Sequence, residues 1–492
     1  MKRTRIQSLV VFIACLSLIV VGCAAPVAPA DSGDDMMGDD DMPLAGTTLR
    51  VGSIGDALPA LGTQHERLDP DFAAATGVDL QADFPPFTDY VAKVTTMCQS
   101  GSDLYDVMWL DGPWYGLFVS QGCLEDLSDY IANDSGEIAL DDYPLRSLAV
   151  LGTYNETFYV IPQFAAVGML AYRMDLFNDP DEQAAFKEEY GYDLQVPETW
   201  GQYLDIGTFF TRPDDGLWGF NHRYGNPSSL MGDLLIGFAF SRGASLFDGD
   251  WNPTFNTPEM QDALGFFTSE EFLAAQPPGK EGYFTDDVML NAMQGKVAMY
   301  ITENWAISNL MDPSRSPMAE NLGWALIPGW EDPETGEIHR GTMAGAGGWA
   351  INAHSQNKDA AWAYIQFMQG KSNAKILAEE QQWCYRISDC SDSDYAAMYP
   401  YFPINLGQME IMVPRPSEAW WPEAEFAFAS NVGKYMAGEM TIEEALAAAQ
   451  AEAEQIVADA GYAGVFKNYT PTEKEGQACA ELASLGVQHP DC

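Results

Sequence analysis

Asp89 to Leu110 reads DYVAKVTTMCQSGSDLYDVMWL. Val91, Val94, Met97 and Cys98 recur at helical spacing, so Asp89 to Ser100 predicts an amphipathic helix, and Gly101 ends it. Asp106-Val107-Met108-Trp109-Leu110 then reads as a short buried strand. Working outward, Thr48 to Ile54, Val297 to Ile301 and Trp349 to Ile351 read as further strands. Lys358 to Gln369 reads as a helix with Ala361, Tyr364, Ile365 and Met368 inward and Gly370 as its stop. Thr441-Ile442-Glu443-Glu444 is a capping box opening a helix whose apolar face runs through Leu446, Ala449, Ala453 and Val457. Strands alternating with helices predict an α/β protein with mostly parallel sheets covered on both faces. No internal repeat is visible.

The N-terminus assigns a compartment. Lys2, Arg3 and Arg5 precede an apolar run from Ile6 to Val21, the pattern of a secretory signal. The run is too short for a comfortable membrane span of about 20 residues. It ends in Val20-Val21-Gly22-Cys23, which resembles the bacterial lipobox. The resemblance implies a signal over residues 1–22 and lipidation of Cys23, with the mature chain extracytoplasmic and anchored to the cell membrane. Residues 23–46, rich in Pro, Gly, Ala and Asp, read as a disordered, self-repelling tether.

The chain of 492 residues is long enough for two domains, and 72 acidic against 24 basic residues give a net charge of −48. Nucleic acid is excluded as a partner, because phosphate binding needs clustered Lys and Arg. Of 8 cysteines, Cys15 leaves with the signal and Cys23 carries lipid. Cys98, Cys123, Cys384, Cys390, Cys479 and Cys492 remain, an even set in an exported chain, which points to disulfides. Metal is not expected: no two are spaced as a zinc pair, and the chain has His 5 times only.

Several segments resemble the family 1 extracellular solute-binding proteins of ABC transporters, the maltose-binding-like group. They are Asp106 to Asp111 leading into Gly122 to Leu127, Tyr159-Val160-Ile161-Pro162 followed by Leu170 to Phe177, Pro197-Glu198-Thr199-Trp200, Gln294 to Met299 with Asn304-Trp305, Gly323 to Gly329, and Gly347 to Ile351. Their order over residues 47–465 carries the resemblance. It implies a two-lobed periplasmic-binding-protein fold, type II-like, with hinge-linked lobes and ligand in the cleft. The expected lobes are 47–163 plus 352–399, and 165–343 plus 403–469, followed by a polar C-terminal tail at 470–492. Pairing cysteines nearest in sequence respects these lobes and gives Cys98–Cys123, Cys384–Cys390 and Cys479–Cys492.

The resemblance also implies a binding site. Asp56, in the loop after the first strand, and Asp111, beyond the carboxyl end of another, are acceptors for ligand hydroxyls. Trp114 is an apolar wall. Ala166 stands where many sugar binders carry an acid, so Gln163 and Phe164 are the candidates at this crossing. Trp305 matches the cleft tryptophan, whose flat face covers a pyranose while Glu303 and Asn304 take hydroxyls. Gly347 and Gly348 let backbone approach ligand beside Trp349. Arg386 matches a cleft-edge arginine, and Trp421 a late cleft aromatic.

Two other motifs do not hold. Gly345 to Ala350 fits a loose phosphate-binding pattern but lacks the strand before and helix after it. Asp248, Asp250, Asn252 and Glu259 fit calcium-loop positions, but Pro253 sits where glycine is needed. The expectation is a monomeric binding protein without catalysis, cofactor or metal. It hands a sugar or oligosaccharide to ABC permease subunits. The alternatives are an exported glycoside hydrolase, for which no carboxylate pair stands out, and a receptor for a polyol, amine or peptide.

Overall fold

Both elements read in residues 89–110 form. Phe87–Ser100 is a helix, Gly101 caps it with a left-handed φ of 63°, and Val107–Asp111 is a strand. The structure is a computed structural model that describes residues 42–54, 59–225, 231–381 and 383–492. Cys23 and Asp56 lie outside the described residues. Residues 44–492 belong to one unit.

The strands that build the two main sheets are β1 (Thr48–Gly52), β2 (Asp79–Asp83), β3 (Val107–Asp111), β4 (Ile161–Pro162), β5 (Gly168–Arg173), β6 (Met299–Glu303), β7 (Leu322–Ala325) and β8 (Gly347–Ile351). The first lobe's sheet has the order β2-β1-β3-β8-β4, and the second lobe's the order β6-β5-β7. In the first, β1 runs parallel to β2 and β3, whereas β8 is antiparallel to β3 and β4. In the second, β5 is antiparallel to both neighbours.

The expectation of mostly parallel sheets is therefore corrected. β5 and β8 are the strands that have just crossed between lobes, so they start at the cleft. β1, β3, β4 and β6 end there. Register places the two kinds of end side by side: Gly347 opposite Asp111, and Gly168 opposite Glu303. The crossing segments also pair, Ala166 N with Gly345 O at 3.1 Å and Gly345 N with Ala166 O at 2.8 Å.

Three cores hold the lobes. Val51, Val107, Leu110 and Ile161 pack with Tyr90, Val94 and Tyr364 in the first. Trp200, Tyr203, Phe238, Phe428 and Leu446 belong to the second, which is rich in aromatic residues. Met169, Tyr300, Leu322, Tyr401 and Phe402 form the third, with Cys384, Cys390 and Tyr395. The expected first-lobe segment 352–399 thus divides, its helix Lys358–Gln369 with Trp383 and Tyr385 on the first core, and Ala378, Cys384, Cys390 and Tyr395 on the third. The Thr441 box forms as read: Thr441 Oγ1 accepts from Glu444 N at 3.2 Å, and Glu444 Oε2 from Thr441 N at 2.9 Å.

Among the described residues the disulfides are Cys98–Cys123, Cys384–Cys390 and Cys479–Cys492. The C-terminal tail is more than a polar extension. Pro471–Ser484 is a helix with its own capping box at Thr470 and Glu473, and it buries Ala478 and Leu482 in the first core. Only two of its residues are fully buried, with Cys479 packed partly buried beside them, and so sparse a stripe is hard to see in a polar sequence. Arg146 ties it down, its Nε 2.6 Å from Glu475 Oε1.

Candidate functional site

Strand ends from both lobes, joined by the crossing segments, enclose a cavity of ≈ 580 Å³. Binding crevices in open α/β sheets form beyond the carboxyl ends of strands, because backbone turns away there and leaves polar groups free. Asp111 from β3 and Glu303 from β6 reach the cavity in this way, and Phe164, Ala166, Gly345 and Ala346 line it from the crossings. Ala346 holds a left-handed φ of 68°, a conformation that costs a residue with Cβ about 1 kcal/mol or more.

The apolar wall is aromatic. Trp109 lies two residues before Asp111 on β3, hence on the same face. Its ring stacks with that of Phe164, centroids 6.4 Å apart and planes 21° apart. Trp305, half-buried, lines the cavity from the turn after β6 and donates Nε1 to Glu303 Oε2 at 3.0 Å. Phe87 closes the rim.

The polar side is charged. Arg415 Nη2 lies 2.9 Å and 3.1 Å from the two oxygens of Asp111, and its Nε donates to Ala344 O at 3.3 Å. Burial opposes the guanidinium charge, but Asp111, Glu425 and Glu303 outweigh it and raise the Arg415 pKa. Burial likewise raises Glu425, against Arg415, which lowers it. Arg223 is held by buried Asp233, with which His222 also makes contact at 3.4 Å. These groups can accept and donate hydrogen bonds to a small hydroxylated molecule and cover its apolar face with a ring.

Of the residues read from sequence, the structure brings Asp111, Phe164, Glu303 and Trp305 together at the cavity. Apart from Asp56, outside the described residues, it places the others elsewhere, each for a visible reason. Trp114 packs behind the wall, 5.6 Å from the Phe87 ring and 6.2 Å from Trp109. Gln163 is fully buried and donates Nε2 to Gln64 Oε1 at 2.6 Å. Asn304 is a strut between crossings, its Nδ2 2.8 Å from Ala165 O and from Asn405 Oδ1.

Gly347 and Gly348 lack side chains because strands press on them. A Cβ there would sit 1.9 Å from Leu110 O and 2.0 Å from Ile161 O. Trp349 is core, edge-on to His65 and Tyr364. Arg386 is fully buried under Tyr143, with Nη2 donating to Ile138 O at 2.7 Å and Gln369 O at 2.5 Å. Trp421 belongs to the second lobe's core. The Asp248 carboxylate caps its own turn, accepting from Asp250 N and Asn252 N, both at 2.9 Å.

Sequence reading missed Trp109, Arg223, Arg415 and Glu425. Trp109 was legible, since it shares a strand face with Asp111. Glu425 stands one helical turn after Trp421, but only the tertiary packing of that helix turns it to the cavity. Arg223 and Arg415 lie in irregular segments with no periodicity to give them a direction.

The model of the bacterial extracellular solute-binding protein family matches residues 52–375. This chain belongs to that family. The solute-binding protein is similar to the mannitol-binding protein of Pseudomonas aeruginosa, 28% identical over 395 residues, covering 75% of this chain and 84% of that one. It is also similar to the erythritol/L-threitol-binding protein of Mycolicibacterium smegmatis, 24% identical over 389 residues, 73% of this chain and 77% of that one. Among solved structures it resembles an ABC transporter solute-binding protein of Agrobacterium radiobacter in complex with ribitol. That likeness has a TM-score of 0.70 at 26% identity, covering 84% of this chain and 100% of the other. The two-lobed α/β fold and the ABC solute-binding family are thereby established. Among the described residues no helix is long and apolar enough to cross a membrane.

Proposed function

We propose that this solute-binding protein captures a small polyhydroxylated molecule, an acyclic polyol or a monosaccharide, between its lobes and delivers it to ABC permease subunits. One observation carries the reading. At the interlobe strand ends, Trp305 and the Trp109–Phe164 stack line a cavity of ≈ 580 Å³ together with Glu303, Glu425 and the Asp111–Arg415 pair. Aromatic rings beside convergent acceptors suit a ligand that carries both C–H groups and hydroxyls. Relatives named for mannitol, erythritol and ribitol support the polyol side of the choice.

The protein acts by binding and closing about the Ala166–Gly345 crossing, not by catalysis. It works as a monomer held outside the cytoplasm by lipid on Cys23. Calorimetric titration with mannitol, ribitol, erythritol, glucose and maltose tests the ligand class, with saturable binding of a small member expected. A Cys23→Ser chain that still fractionates with membranes would remove the anchor from this account.

A further inference from the structure

The charges around the cavity do not balance. Arg415 faces three carboxylates, Asp111, Glu425 and Glu303, and hydrogen-bonds only the first. Arg223 also faces Glu303, but its guanidinium is taken by Asp233. Two guanidiniums therefore serve four carboxylates, and Asp286 adds a fifth at the rim. His222, when protonated, would offset one of them through Asp233. Among the described residues, no other Lys or Arg lines the cavity. The undescribed segments that adjoin Ile54 and Met231 in sequence, 55–58 and 226–230, contain one acid, Asp56, and no base.

Glu425 shows the imbalance most clearly. It comes from helix Trp421–Met436, lines the cavity, and interacts electrostatically with an Arg415 already bound through both Asp111 oxygens. Burial raises its pKa against the pull of Arg415, and the Asp111 charge adds to the rise. A neutral polyol can donate hydroxyl hydrogens to such a carboxylate but leaves the excess charge in place. An ammonium group neutralises it and donates as well, and a charge-assisted hydrogen bond is about twice as strong as a neutral one.

We infer that the solute taken by this cleft carries a protonated amine among its hydroxyls, as an amino-polyol or amino sugar does, with Glu425 as the residue that selects the amine. The inference rests on the polyhydroxylated reading above and narrows it.

Calorimetric titration of the full chain with matched pairs tests it. The pairs are D-sorbitol against 1-amino-1-deoxy-D-sorbitol, and D-glucose against D-glucosamine, each with the N-acetylated amine as a neutral control. In whichever pair binds, the amine should bind at least tenfold tighter than its hydroxyl counterpart. The preference should shrink on N-acetylation and on raising the salt concentration. Glu425→Gln should cut the amine-to-hydroxyl affinity ratio at least fivefold. Equal or tighter binding of the neutral member, or a preference that survives Glu425→Gln, overturns the inference and leaves the polyhydroxylated reading standing. Binding of no member of either pair overturns the inference, and the polyhydroxylated reading falls with it only when mannitol, ribitol and erythritol also fail to bind.

Discussion

The indole N–H of Trp305 is hydrogen-bonded to Glu303, two residues back along the chain, Nε1 to Oε2 at 3.0 Å. The bond fixes the ring's orientation on the turn after β6 and leaves the second carboxylate oxygen to other partners. That oxygen lies 3.0 Å from where a Cβ on Gly345 would stand, so the bare backbone of the crossing gives Glu303 its room. One hydrogen bond thus couples the aromatic wall, the acceptor and the crossing between lobes.

Trp305→Ala should weaken ligand binding by about 2 kcal/mol or more, the scale of an aromatic hot spot. The variant should stay folded, because Trp305 is only partly buried and borders two cores without centring either. Titration and thermal melting on the same sample check this. Native affinity in a folded variant would remove Trp305 from the site.

Arg415 should matter more to stability than Asp111. Breaking a buried pair costs about 3–5 kcal/mol when the remaining charge finds no other partner. Asp111→Asn leaves Arg415 with Glu425 and Glu303 close by, so its cost should fall below that range. Arg415→Met leaves three carboxylates facing one another and should reach it. Urea unfolding of the two single variants and the double variant tests the order, and the double variant should be more stable than Arg415→Met alone.

Asp389 should make the protein less stable as pH rises through the weakly acidic range. Burial pushes its carboxyl from 3.8 to about 6, against the pull of neighbouring Arg386, and its Oδ2 has no hydrogen-bond partner among the described residues. A carboxyl with a raised native pKa holds its proton in the folded chain after the unfolded chain has lost it. Its contribution is therefore fully present below about pH 4, falls between about 4 and 6, and is constant above. Melting temperatures of the wild type and Asp389→Asn across pH 4–7 should differ in slope, the variant being flatter. Parallel curves would show that Asp389 is not the group responsible.

Much of this architecture was legible because its signals are local. The helix stop at Gly101, the Thr441 capping box and the buried strand Val107–Asp111 each depend on residues a few positions apart. The site was legible where a strand end dictates direction, as at Asp111 and Glu303, and where an aromatic follows one, as at Trp305. Reading failed where local chemistry admits two environments. Arg386 and Trp421 look the same in sequence whether they face a cleft or a core, and both are buried by contacts with distant segments. Gly347 and Gly348 were read as letting backbone approach ligand, whereas the atoms a Cβ there would meet belong to the neighbouring strands. The strand directions of the second lobe follow from which strands have just crossed, a property of the whole path.

The most direct test is the melting temperature of the wild type, Trp305→Ala and Glu303→Gln against increasing mannitol, ribitol and 1-amino-1-deoxy-D-sorbitol. A ligand that binds only the folded state adds about 2.7 kcal/mol of stability at a hundredfold excess over Kd. At least one of the three solutes should raise the wild-type melting temperature with a saturable, logarithmic dependence, and both substitutions should shift that dependence to higher concentration. No rise with any of them, or a rise that both variants reproduce at the same concentrations, would contradict a polyol site at Glu303 and Trp305.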